Sequence, residues 1–152
     1  EKGLFSVNHA LRKIDTPSIL FFLGILLAIA ALQATGILTS LSASLSESVG
    51  NIKIITILIG LLSAIVDNVP LVAAAQGMYG LDQYPTGHFF WEFLAYCAGT
   101  GGSCLVIGSA AGVAAMGIEK IEFFWYMKKI GWLALLGYLA GAAVFLLQHF
   151  LT

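Results

Sequence analysis

The chain is 152 residues long, 59% hydrophobic and only 10% charged, against about 25% charged residues in ordinary soluble domains. Its mean hydropathy of +0.94 places it in a membrane. The formal net charge is −1, and the few basic residues sit in short clusters outside the apolar runs, which excludes nucleic acid as a partner and leaves membrane lipid.

The start, Glu1-Lys2-Gly3-Leu4, has neither an initiating Met nor the basic-then-apolar pattern of a secretory signal. The sequence is therefore expected to be a fragment or processed piece. Residues 4–13 mix apolar positions with Arg12 and Lys13 at near-helical spacing, the pattern of a short interfacial helix. The first apolar run, residues 18–38, follows Asp15-Thr16-Pro17, where Asp15 or Thr16 caps a helix and Pro17 opens it. About 20 such residues span a bilayer.

Residues 39–51 are serine-rich, with Leu41 and Leu45 four apart, and read as a short amphipathic connector. The stretch 52–79 is apolar but interrupted at Asp67-Asn68-Val69-Pro70. An ionisable group in such surroundings costs several kcal/mol unless it has a task. Pro70 lacks a backbone donor and disfavours helix at Val69, so the chain is expected to break beside the carboxylate, with its tip at residues 67–70. The next stretch, 89–118, is interrupted at Gly99-Thr100-Gly101-Gly102-Ser103, where the glycines are too dense for a packing face and predict unwound backbone. Residues 130–150 form the last, uninterrupted span. Phe89-Phe90-Trp91 and Phe123-Phe124-Trp125-Tyr126 are placed as interfacial aromatic belts. The pairs Gly108/Gly112 and Gly137/Gly141 have the spacing of close helix packing.

The basic residues decide the path of 52–79. If it crossed the membrane, Lys120, Lys128 and Lys129 would lie opposite Arg12 and Lys13, and no orientation would show a bias. As a re-entrant hairpin it puts all five on the cytoplasmic side and leaves Lys53 outside with Glu47, Asp82 and Glu92. The expected fold is an all-α integral membrane protein with a re-entrant helical hairpin and a discontinuous transmembrane helix whose breaks meet near the midplane.

Those breaks carry Asp67 and Asn68 on one side and Thr100 and Ser103 on the other, a set of hard oxygen donors suited to Na⁺. Pro70, Gly99, Gly101 and Gly102 shape the backbone around them. Desolvation favours the protonated carboxylate and a bound cation favours the charged one. Asp67 would thus hold a proton or a sodium ion in alternation, and competition there yields obligatory exchange. The blander alternatives are that Asp67 and Asn68 only cap the second limb and that the hydroxyls of Thr100 and Ser103 bond back to the preceding turn.

Glu92 is expected at the interface, with ion entry as its alternative role; His9, His88 and His149 fall near membrane surfaces. Cys97 and Cys104, roughly 10 Å apart along a helix, are expected to pack and not to pair. The Gly99 cluster follows no strand and precedes no Gly-Lys-Ser/Thr, so no nucleotide cofactor is expected. An intramembrane hydrolase would need a base for Ser103 or a second aspartate for Asp67, and neither is present at membrane depth.

The stretches Ser63-Ala64-Ile65-Val66-Asp67-Asn68-Val69-Pro70-Leu71-Val72-Ala73-Ala74 and Trp91-Glu92-Phe93-Leu94-Ala95-Tyr96-Cys97-Ala98-Gly99-Thr100-Gly101-Gly102-Ser103 resemble the C-terminal half of the NhaD-type sodium/proton antiporters. So do Ile107-Gly108-Ser109-Ala110-Ala111-Gly112 and Ile14-Asp15-Thr16-Pro17-Ser18-Ile19-Leu20-Phe21-Phe22-Leu23-Gly24. The family belongs to the ion-transporter superfamily, together with arsenite permeases and sodium/dicarboxylate transporters. The resemblance implies two inverted repeats, of which this chain holds one, a homodimer, and Na⁺ (Li⁺)/H⁺ antiport by a secondary transporter and not an enzyme. It implies that an N-terminal repeat is missing here, and a prokaryotic inner membrane is the usual home. The competing expectations are a sodium-coupled or anion permease of the same superfamily and a non-transporting membrane subunit.

Overall fold

Apolar runs punctuated by glycine fold here entirely as helices. The computed structural model describes residues 16–105, 107 and 110–151, and all regular structure among them is helical. The expected interfacial helix at residues 4–13 lies outside the described residues, as does Asp15.

Helix α1, Thr16–Ala34, has 19 residues and rises about 28 Å, close to the thickness of a bilayer's hydrocarbon core. It ends earlier than the expected 18–38 because Gly36 takes a left-handed conformation, φ +75°, the common way to stop a helix. The chain bends by 72° there and continues as α2, Ile37–Val49. The serine-rich connector is thus itself a helix, and it lays Leu45 and Val49 against the central core.

Helices α3, Ile52–Leu62, and α4, Asn68–Met78, have 11 residues each. At about 16 Å, each reaches halfway across a bilayer. The turn between them begins at Ser63 and ends at Asp67, where short bonds such as Ala64 N–H to Leu61 O replace the α-helical ladder. The expected tip at residues 67–70 therefore shifts toward the N-terminus. Asn68, Val69 and Pro70 already belong to the first turn of α4, where a proline sacrifices no helical hydrogen bond.

Helix α5, Phe89–Gly101, runs through Gly99, Thr100 and Gly101 without unwinding. The break begins at a 3₁₀ turn, Gly102–Cys104, and helix resumes as α6, Ala110–Glu119. The expected break at 99–103 is corrected accordingly. Gly101 is a packing glycine: a Cβ there would fall on the carbonyl oxygen of Gly60 and 2.9 Å from Ser63 Oγ. Gly60 matches it across the crossing, since its own Cβ would lie 2.6 Å from the Cys97 carbonyl. Small residues at both positions let α3 and α5 touch backbone to backbone.

Helix α7, Phe123–Leu151, has 29 residues and is long and apolar enough to cross a membrane. It starts at Phe123, so the expected aromatic belt 123–126 forms its first turn and the span 130–150 its remainder. Tyr138 O–H donates to the Ile57 carbonyl at 2.7 Å, and Tyr96 O–H donates to the Tyr138 carbonyl at 2.9 Å. These bonds tie α7 to α3 and α5 while satisfying hydroxyls that would be costly in an apolar interior.

Two buried clusters lie along this frame. Ile55, Ile59, Leu71, Ala75, Tyr79, Phe90 and Leu94 join α3, α4 and α5. Ala64, Phe93, Cys97, Cys104, Tyr138 and Ala142 join the turn, α5 and α7. Both cysteines are free and buried, in keeping with a packing role. The outer faces stay apolar: Phe21, Leu26 and Leu27 on α1 and Trp132, Leu136 and Leu147 on α7 are exposed. Faces of this size require lipid or another protein segment.

Candidate functional site

Three helices in the centre of the chain begin with a polar residue, and one of them departs from the pattern. Asn51 caps α3 by accepting from Lys53 N–H at 2.9 Å. His88 Nδ1 caps α5 by accepting from Phe90 N–H at 3.1 Å. Asp67 stands at the same position before α4, yet its side chain makes no capping bond. Its carboxylate has no hydrogen bond or ion pair among the described residues, and the residue is half-buried. The bland capping reading thus finds no bond to rest on. A negative charge at a helix N-terminus is favoured by the helix dipole even without that bond.

Asn68, also half-buried, lines a cavity of about 360 Å³ with Leu26, Val69, Val72, Ala73 and Gln76. A neighbouring cavity of about 610 Å³ shares Val72 and Gln76 and reaches Tyr79, Thr86, Gly87 and Trp91. Asn68, Val72 and Gln76 are four apart and share one face of α4. That face forms a groove leading from the turn toward the loop before α5.

The turn before α4 approaches the C-terminal end of α5 at Ser63 and Gly101, and no bond among the described residues links Asp67 to Thr100 or Ser103. Ser63 is buried, with its hydroxyl donating to the Gly60 carbonyl at 2.6 Å. Thr100 Oγ1 donates to the Tyr96 carbonyl at 2.6 Å, the back-bonding expected of a membrane hydroxyl. Ser103 is exposed, and its carbonyl accepts from Tyr126 O–H at 2.8 Å. Gly99 is exposed with open space beside it, while Gly101 and Gly102 are buried.

Glu92 lies in the first turn of α5 and is exposed. It borders a cavity of about 250 Å³ with Phe89, Phe145, Gln148 and His149. His149 stacks on Phe89 at 3.9 Å, and Lys53 Nζ lies 5.6 Å from the centre of the same ring. This cluster is separate from the turn at Asp67, at the end of α5 remote from its break.

Sequence reasoning did not single out Gly60, Gly131 or Tyr138, and it placed Tyr126 only in an interfacial aromatic belt. An isolated glycine within an apolar helical run is a signal for close packing, and Gly60 carries it. The hydrogen bonds of the two tyrosines carry no sequence signal, because their partners are carbonyls more than twenty residues away.

Helices with apolar outer faces, two of them half-bilayer in length and meeting at a carboxylate that has no partner among the described residues, have the architecture of a membrane transporter. A protein-family model described as citrate transporter (CitMHS) matches residues 2–92. The chain is 52% identical over 149 residues to a protein named sodium/proton antiporter 1 from Arabidopsis thaliana, covering 98% of this chain and 26% of the relative. It is 47% identical over 149 residues to sodium/proton antiporter 2 of the same plant, covering 98% of this chain and 36% of the relative. The Na⁺/H⁺ antiporter NhaD of Alkalimonas amylolytica is 36% identical over 146 residues, 93% of this chain and 29% of the relative. No solved structure matches. The chain belongs to the citrate-transporter (CitMHS) family of the ion-transporter superfamily and, within it, to the NhaD type, and it spans 26% to 36% of the length of these three relatives.

Proposed function

We propose that this chain forms part of a secondary transporter that exchanges Na⁺ or Li⁺ for protons, the two competing for the carboxylate of Asp67. The observation that carries the reading is the half-buried carboxylate, without a partner among the described residues, at the one uncapped start among α3, α4 and α5. A carboxylate spent on its own helix would be a poor ion carrier; this one is unspent. Relatives named sodium/proton antiporters support the choice of ion.

In this reading α3 and α4 are the limbs of a re-entrant hairpin that enters from the external side, and Arg12 and Lys128 face the cytoplasm. Asn68 adds an amide oxygen beside Asp67, and the α4 groove past Val72 and Gln76 gives access. The break after α5 supplies carbonyl oxygens, with Thr100 and Ser103 beside it. The remainder of the transporter, including an inverted N-terminal repeat, covers the apolar faces, and the whole assembles as a homodimer in lipid. Half of such a pathway leaves its polar tips facing lipid, which the missing repeat would correct.

The description of the matching family as citrate transporters favours one second reading, a sodium-coupled permease for a carboxylate anion. Sodium-dependent collapse of a pH gradient in vesicles carrying the full-length parent separates the two. Antiport predicts proton movement with sodium alone that is lost in Asp67→Asn; the permease reading predicts sodium uptake only when citrate is present.

A further inference from the structure

Where α5 breaks, the Ser103 carbonyl loses its helical donor. In a continuous helix the Ser103 carbonyl would accept from Ile107 N–H. Here Ile107 N–H bonds instead to the Leu105 carbonyl at 2.8 Å, and the hydroxyl of Tyr126 takes the vacated place on Ser103 O at 2.8 Å. The next carbonyl, that of Cys104, faces Gly131: a Cβ on Gly131 would lie 2.8 Å from Cys104 O. Two successive carbonyls of the break are therefore addressed by two residues of α7, one by a donated bond and one by the absence of a side chain.

Tyr126 and Gly131 are five residues apart. On an α-helix that spacing turns the second residue about 140° away from the first. Residues 127–131 are instead a π-helical turn, Met127–Gly131. Its i→i+5 bonding stacks residues five apart on one face, and single turns of this kind recur at functional sites. The π turn is thus what lets both residues meet the break.

We infer that Tyr126 and Gly131 are positioning residues for the cation site: from the π turn of α7 they hold the Ser103 and Cys104 carbonyls as oxygen ligands for a monovalent cation. The inference rests on the antiport reading and adds to it two backbone oxygens of the break and the element that orients them. Carbonyl oxygens suit a hard cation, and discontinuous helices in transporters present such carbonyls to ions. Without Tyr126 the 3₁₀ turn would have to be held by its own bonds alone, and its ligand geometry would spread.

The test compares the full-length parent with Tyr126→Phe, which keeps the ring, and Gly131→Ala, which keeps the phenol but presses a methyl toward Cys104 O. Each variant should raise the sodium KM of proton exchange about fivefold, the equivalent of one net hydrogen bond, with kcat near that of the parent. Alkylation of Cys104 by N-ethylmaleimide, located by mass spectrometry, gives a readout independent of transport. Sodium should slow it in the parent, and the variants should need about fivefold more sodium for the same protection. Lower melting temperature or abundance with an unchanged sodium KM and unchanged protection would make the role merely structural and overturn the inference. A parent without sodium-driven proton movement would instead remove the antiport reading on which it rests.

Discussion

The crossing of α3 and α5 at Gly60 and Gly101 yields a prediction with a built-in control. Gly101 is helical, φ −60°, so alanine would gain about 1 kcal/mol of backbone propensity there. Its methyl, however, would land on the Gly60 carbonyl oxygen and 2.9 Å from Ser63 Oγ. Restoring van der Waals contact requires the helices to part by more than about 1 Å. Overpacking of this kind costs about 1–3 kcal/mol. The opposing atom is backbone, which no rotamer change can move, so the upper end applies and the net loss is about 2 kcal/mol after the propensity gain. At Gly99 and Gly137 a methyl would meet nothing within 4 Å, and alanine there keeps the propensity gain. Thermal unfolding of the detergent-solubilised full-length parent should fall by several degrees in Gly101→Ala and hold or rise in Gly99→Ala and Gly137→Ala. Equal stability of Gly101→Ala and Gly99→Ala would refute the packing argument.

Other outcomes follow from single bonds. Asn51→Ala should cost about 1 kcal/mol by removing the α3 cap, whereas Asp67→Asn should lower the melting temperature less, because Asp67 has no capping bond to lose and forfeits only a helix-dipole term of about 0.5 kcal/mol. Tyr138→Phe should cost about 1 kcal/mol or more through the bond to Ile57 O, read as a lower melting temperature with the sodium KM unaltered. Thr100→Val should keep sodium-driven exchange in vesicles, since the hydroxyl is spent on Tyr96 O; loss of exchange would restore Thr100 to the site.

The helical class and the two interruptions were legible because an apolar run of bilayer length tolerates few other folds, and because Asp67 and the glycine cluster stand out against it. The positions of the breaks were less legible. Pro70 signals a boundary, but a proline in the first turn of a helix marks a start as well as a stop, so the turn fell at Ser63–Asp67 and not at residues 67–70. The glycine cluster was read as unwound because density alone suggested it. Gly101 proved to be a contact with Gly60 forty-one residues earlier, a tertiary fact that local spacing does not encode. Gly36 ended α1 early through its left-handed φ, which an isolated glycine in an apolar run does not announce. The expected prokaryotic inner membrane drew on the resembling family's usual home and on no residue of this chain, which is 52% identical over 149 residues to a plant protein.

The central claim is that sodium and the proton occupy the same carboxylate, and proton release on sodium binding tests it most directly. The purified full-length parent in weakly buffered detergent solution is titrated with sodium chloride while the pH is followed, with choline chloride as the control salt and Asp67→Asn as the control protein. Competition at Asp67 predicts acidification by sodium in the parent and none in Asp67→Asn. Equal acidification in both proteins would place the exchanging group elsewhere and contradict the account.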